Sequence, residues 1–178
     1  MIEITYLQMF LIITAAWISV RSVIAVHSKT FSIKRELQML LVYICLVVIA
    51  RFVYFPLHHI NGEIGTLKVG FTETSADMIS IIPFNFLFDR YDGWQINIIG
   101  NIAMFIPVGI VWPICFRKLN DIRKTVLAGI GLILFIELTQ LLCPSRHTDI
   151  DDVILNTSGV LIGACIVFAI RRRRKISC

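Results

Sequence analysis

The sequence predicts an all-α integral membrane protein with about five transmembrane helices, its N-terminus outside and its C-terminus inside, and an interfacial or re-entrant segment near residues 78–88. Three observations carry this. Of 178 residues, 57% are hydrophobic and only 16% charged, well short of the roughly one quarter charged in a soluble domain. The apolar residues fall in runs of about 20, the length that crosses a bilayer as a helix. The basic residues gather in short clusters between those runs. A polar surface over one core cannot be built from this composition, whereas lipid tolerates an apolar exterior.

The runs occupy residues 4–20, 37–57, 95–116, 124–142 and 151–170. The first lacks the preceding basic region of a cleaved secretory signal, and its first cation, Arg21, follows the apolar stretch, as in a retained helix. Arg51 interrupts the second run, and Asn97 and Asn101 interrupt the third. Arg21, Lys29, Lys34 and Arg35 separate spans 1 and 2, and Arg117, Lys118, Arg123 and Lys124 separate spans 3 and 4. With the segment Arg171 to Lys175, these clusters hold thirteen of the 17 Lys and Arg. The positive-inside rule puts all three in the cytoplasm, which an odd number of spans also requires. The segment Arg171 to Lys175 then anchors span 5 at the anionic inner leaflet. Ten of the twelve acidic residues fall at or near the outer side, leaving Glu36 and Asp121 inside.

This layout divides the chain into a two-helix extension over 1–57, a membrane domain over 58–170 and a basic cytoplasmic tail over 171–178. Residues 58–94 form the longest connection. Asn61-Gly62 signals a turn, and the run from Met78 to Phe88, broken by Pro83, is too short to span. Its aromatics, with Tyr91 and Trp94, fit the headgroup level. The adjacent His58 and His59 diverge, so they do not share a metal.

The basic balance, net charge +5 and pI near 9.1, is explained by topology, and no nucleic-acid partner is implied. Cys45, Cys115, Cys143, Cys165 and Cys178 show no paired spacing, which argues against a disulfide framework or a zinc site. No nucleophile–base pair and no phosphate-cradling loop is present, and the sequence assigns no cofactor, no metal and no oligomeric state.

Polar residues inside membrane spans are expensive and mark functional sites by default. Three sets occur here. Asn97 and Asn101, four apart, share a face of span 3. Glu137 and Gln140 share a face near the outer end of span 4. Asp149, Asp152 and Asn156 line one face at the start of span 5, and Gly159 and Gly163 continue it as a close-packing seam. Arg146, in the loop between spans 4 and 5, adds a cation. The candidate site is therefore Asn97, Asn101, Glu137, Gln140, Arg146, Asp149, Asp152 and Asn156. As a structural lock, Arg146 pairs with Asp149 or Asp152 and pins the hairpin. As a site, the acids bind a cationic group or a divalent cation through oxygen ligands, or one acts as general base. Asp149 also fits an N-cap. Lipid offers Glu137 nothing, so it must pair with Arg146 or an Asn, or carry a proton.

Four ordered blocks, Ile82-Pro83-Phe84, the stretch from Asn97 to Gly109, Ile136-Glu137-Leu138-Thr139-Gln140 and the stretch from Arg146 to Gly159, resemble the VanZ-like family. The resemblance covers residues 80–165 and leaves 1–57 without a motif. It implies a multi-pass protein of the bacterial cytoplasmic membrane that acts at the cell envelope, and it points to teicoplanin susceptibility, the trait tied to the family's named member. Three readings stay open: an envelope protein of this family, an enzyme acting on a lipid or lipid-linked headgroup at the outer leaflet, and a small transporter or assembly partner. The partners implied are the lipid bilayer and a lipid or lipid-linked envelope ligand.

Overall fold

The computed structural model describes residues 1–28, 32–55, 65–70, 79–80, 82–84, 94–144 and 148–176. Five helices dominate: α1 (Tyr6–Ser28), α2 (Ile33–Tyr54), α3 (Trp94–Cys115), α4 (Ile122–Gln140) and α5 (Ile150–Ile176). Each coincides with one of the five apolar runs. Four of them, α1, α2, α3 and α5, are long and apolar enough to cross a membrane. At 19 residues, α4 is about 28 Å long, but it carries Arg123, Lys124 and Glu137 within that short length, with no long uncharged stretch that includes both ends. The turn at Asn61-Gly62, the pair His58 and His59, most of the 78–88 segment and Tyr91 lie outside the described residues, while Trp94 begins α3.

The chain forms two compact units, Met1–Phe71 and Thr72–Cys178. In the first, a short strand β1 (Ile2–Ile4) pairs antiparallel with β2 (Leu67–Val69), with Glu3 opposite Lys68. The helix α1 runs seven residues past Arg21, because that cation has a local partner. Its guanidinium makes a two-pronged contact with the Glu36 carboxylate at the start of α2. Thr14 and Tyr43 share a hydrogen bond of 2.7 Å between the same two helices. Arg51 is likewise satisfied where it stands. It donates to the Phe55 carbonyl at 3.3 Å and lies over the Tyr6 ring at 5.7 Å. It therefore closes the C-terminal end of α2.

In the second unit α5 packs against both α3 and α4, most extensively against α3. The α3–α5 pairing is parallel and nearly backbone to backbone. A Cβ on Gly159 would overlap the carbonyl oxygen of Ile102, and one on Gly163 would overlap that of Ile106. One turn further along, Gly109 of α3 meets the α5 backbone at Val160 and Ala164. Glycines at these three places let the helices approach as closely as small residues permit. Gly129 of α4 faces the Val160 side chain, and Glu137, two turns on, lies beside Asp149 and Asp152, so α4 meets α5 running the opposite way. Phe105, Val108, Ile133 and Val160 are fully buried around this crossing.

This arrangement gives the bundle two distinct ends. At one, α3 finishes, α4 starts and α5 finishes, which brings residues 117–124 and Arg171 together. The Arg171 side chain donates to the Pro113 carbonyl of α3 at 2.8 Å. The segment expected as a tail continues α5 as helix to Ile176. At the other end lie the start of α3, the end of α4 and the start of α5.

Candidate functional site

At this second end a two-residue parallel bridge forms between β3 (Ile79–Ser80) and β4 (Thr148–Asp149), with Ser80 opposite Asp149. Directly after it, α5 begins. The Asp149 carboxylate accepts the Asp151 backbone N–H at 2.9 Å, which makes Asp149 the N-cap of α5. Asp151 is buried, and its Oδ1 accepts the backbone N–H of Phe84 at 2.6 Å. Phe84 is the one described non-glycine residue with positive φ, at 65°. The bond to a carboxylate helps to hold this sparsely populated conformation. The segment 82–84 is thereby tied to the first turn of α5.

The remaining polar groups come from three helices. Asn101 of α3 donates to Asp152 of α5 at 2.6 Å, and its amide also reaches Asn97 at 3.5 Å. Asn97 itself is exposed. Glu137 of α4 is buried, and one of its neighbours is the Asp149 backbone N–H, which donates to its carboxyl. Among the described residues, Asp152 and Asp149 are the charges that act on it. Thr148 hydroxyl donates to the Glu137 carbonyl at 3.5 Å, at the last turn of α4. Gln140 and Asn156 are also buried.

Among the described residues four buried side-chain polar atoms lack a hydrogen-bond partner: Glu137 Oε2, Gln140 Oε1, Asn156 Oδ1 and Trp112 Nε1. Three of the four belong to this end, and all three are acceptor oxygens. A pocket of about 300 Å³ opens beside Glu137, lined also by Ser80, Leu134, Leu138, Thr148 and Asp149, among others. Its walls are almost wholly apolar. No three Asp, Glu, His or Cys side chains among the described residues are placed to hold a metal ion.

Of the residues marked from the sequence, Asn101 and Asp152 are in direct contact, Glu137 faces Asp149 and Asp152, and Gln140 and Asn156 lie buried on the same faces of α4 and α5 as Glu137 and Asp152. Asn97 sits at the exposed margin. Arg146 lies outside the described residues, and with it the lock built on it. Sequence reasoning gave no role to Asp151, which falls off the 149, 152, 156 stripe, or to Ser80 and Thr148. Phe84 and Asp151 fall in two separate blocks of the family resemblance, and no local signal pairs them.

The fold defines a polytopic α-helical membrane protein with a cluster of polar side chains at one end of its last three helices. Residues 40–171 match the VanZ/LLP1 family, and the chain belongs to it. The match starts inside α2 and runs to the end of the apolar part of α5. No curated protein and no solved structure matches the chain significantly.

Proposed function

We propose that the chain acts at the bacterial cell envelope through the acidic cleft, which faces the outer leaflet of the cytoplasmic membrane. The orientation follows from charge. The opposite end of the bundle carries Arg117, Lys118, Arg123, Lys124 and the four arginines 171–174, and such clusters stay in the cytoplasm. The observation that carries a binding role is Glu137: a buried carboxylate with an unpartnered oxygen, lining a pocket beside two aspartates. A purely structural polar cluster satisfies its buried members. Here the structural duties fall to Asp149 as cap and Asp151 as anchor of Phe84, while Glu137, Gln140 and Asn156 keep acceptors to spare. Family membership supplies the finer part of the reading, that this action lowers susceptibility to teicoplanin. An enzyme acting on a lipid-linked headgroup is the second reading, supported by a buried carboxylate next to a pocket, since a general base must lie within reach of its substrate.

Asp152→Asn tests the proposal. An asparagine can still accept from Asn101, so the helix contact is retained while the charge goes. Bacteria expressing the chain and its variant are compared for teicoplanin susceptibility, with protein abundance and unfolding midpoint measured in parallel. The expected result is a lost phenotype at unchanged abundance. A variant that is stable and fully active refutes the role of the cleft, and a wild-type chain without any teicoplanin phenotype refutes the resistance component alone.

A further inference from the structure

We infer that the flank of α4 beside Glu137 seats one hydrocarbon chain of an outer-leaflet lipid, so that the ligand of the proposed site enters sideways from the bilayer. The inference rests on the outer-face reading above and names the class of its ligand. The pocket of about 300 Å³ next to Glu137 is walled almost wholly by apolar groups, with Leu134, Leu138, Leu141, Ile150 and Val153 among its lining residues. Such walls suit a run of methylenes and offer a charged head nothing. Leu134 and Leu138 are 47% and 65% exposed, so the pocket opens on the flank of the bundle. In a membrane that flank meets hydrocarbon rather than water.

The same face continues inward as a groove. Gly131 lies three residues before Leu134 and seven before Leu138, which puts the three on one face of α4. A Cβ on Gly131 would meet nothing within 4 Å, so this position is a notch between the leucines at 127 and 134. From Gly131 to the C-cap Leu141 the helix rises about 15 Å. That is the depth of one leaflet of a hydrocarbon core about 30 Å thick. The polar members of the lining, Ser80, Thr148 and Asp149, stand at the outer end of this length, where α5 begins. Glu137 lies one turn inside the end of α4, the level at which a chain joins its head. The face is thus apolar along one leaflet and polar at the headgroups, the order of groups in a membrane lipid. Exchanging surrounding lipid for the seated chain brings no hydrophobic gain, so the seat is distinguished by shape, and position is the quantity to measure.

The test uses the full-length protein in phosphatidylglycerol nanodiscs that contain a small fraction of phosphatidylglycerol with a diazirine in the middle of one acyl chain. After illumination, the adducts are mapped by mass spectrometry. Adducts at Leu134 and Leu138 are expected to exceed those at Ile99 of α3 and Leu161 of α5, which are also exposed, by about fivefold, a preference of the size that van der Waals packing supplies inside a bilayer. Gly131→Leu fills the inner part of the groove from a position that meets open space. It is expected to lower the adducts at Leu134 and Leu138 to the level of Ile99 while the unfolding midpoint stays unchanged. Should that variant fail to fold, the distribution on the wild-type chain decides the matter by itself. Adducts that follow exposure alone at all four positions mean annular lipid only and overturn the inference, as does a preference that Gly131→Leu leaves intact. If the preference is absent while Asp152→Asn still removes the phenotype, the site acts on a ligand without a seated chain and the inference alone falls. If the preference is present while Asp152→Asn is silent, the lipid seat stands and the role of the cleft falls.

Discussion

Two ends of the same three-helix bundle treat their polar residues in opposite ways. Where α4 begins, the polar groups of residues 120–125 are consumed by neighbours close in sequence. Asp121 caps α4 by accepting the Lys124 N–H at 2.9 Å, Lys124 reaches Asn120 at 2.8 Å, and Thr125 returns its hydroxyl to the Asp121 carbonyl at 2.9 Å. Arg171 serves the end of α3 and lies over Phe168 at 5.2 Å. Where α4 ends, contacts run between distant segments: Asn101 to Asp152, Phe84 to Asp151, Ser80 beside Asp149. Even so, three buried acceptors are left over. Local capping serves the fold and the orientation in the membrane. Long-range polar convergence with unmet valence is what a binding site looks like before its ligand arrives.

If the two ends are separate devices on one frame, damage to the frame should disable both. Gly163→Leu drives a side chain into the Ile106 carbonyl of α3, where backbone rather than a flexible side chain must yield. Overpacking of this sort costs about 3 kcal/mol or more. The expected outcome is a large drop in the midpoint of an SDS unfolding titration, or loss of the protein from the membrane. Gly131→Leu in α4 meets open space and is expected to leave the midpoint unchanged. A tolerant Gly163 would mean that α3 and α5 are not locked together, and the division into two ends would lose its basis.

A smaller effect of opposite sign sharpens the contrast. Asn156 is buried with its Oδ1 unpartnered. Replacing an unsatisfied buried polar group by an apolar one of similar size is neutral or stabilising, by up to about 1 kcal/mol. Asn156→Leu should therefore raise the unfolding midpoint slightly. A variant that loses stability would show Asn156 to be a structural member of the cluster, as its counterparts at the other end are.

Much of this organisation was legible in the sequence, and the reason is periodicity. Five apolar runs match five helices, and the pairs Asn97 with Asn101, Glu137 with Gln140, and Asp152 with Asn156 share helix faces as their spacing requires. Gly159 and Gly163 announced a close seam. Its counterpart, Gly109, was not foreseen, because nothing local in α3 says which helix will approach it. Asp151 was passed over for a similar reason. Its role depends on Phe84, 67 residues away, adopting a positive φ, and helical spacing is silent about such a pairing. Arg51 was read as a break in an apolar run, yet its partners Phe55 and Tyr6 lie at the helix end, where a long side chain can reach the chain terminus and a ring face.

The smallest expected effect belongs to the basic end and depends on pH. Bonding to the Lys124 backbone N–H, outweighing a small opposing effect of desolvation, holds the Asp121 carboxyl below its ordinary value of 3.8. A carboxyl lowered on folding adds stability that is fully present above the unfolded value. That contribution is lost as pH falls through the lowered, folded one. Asparagine is as good an N-cap as aspartate but does not titrate in this range. Asp121→Asn should therefore match the wild type in hydrogen bonding while losing the charge that favours a helix N-terminus. Its unfolding midpoint should lie slightly below that of the wild type at neutral pH, and the two should converge as the medium is acidified below pH 4. Taking the difference between the two proteins cancels the titration of the carboxylates at the other end of the bundle. A constant difference across that range would mean that Asp121 contributes only as a hydrogen-bond acceptor. A difference that vanished at neutral pH would mean that the charge of Asp121 is neutralised by Lys124 and its neighbours, and that the basic end is organised by cation–carboxylate pairing rather than by the helix terminus.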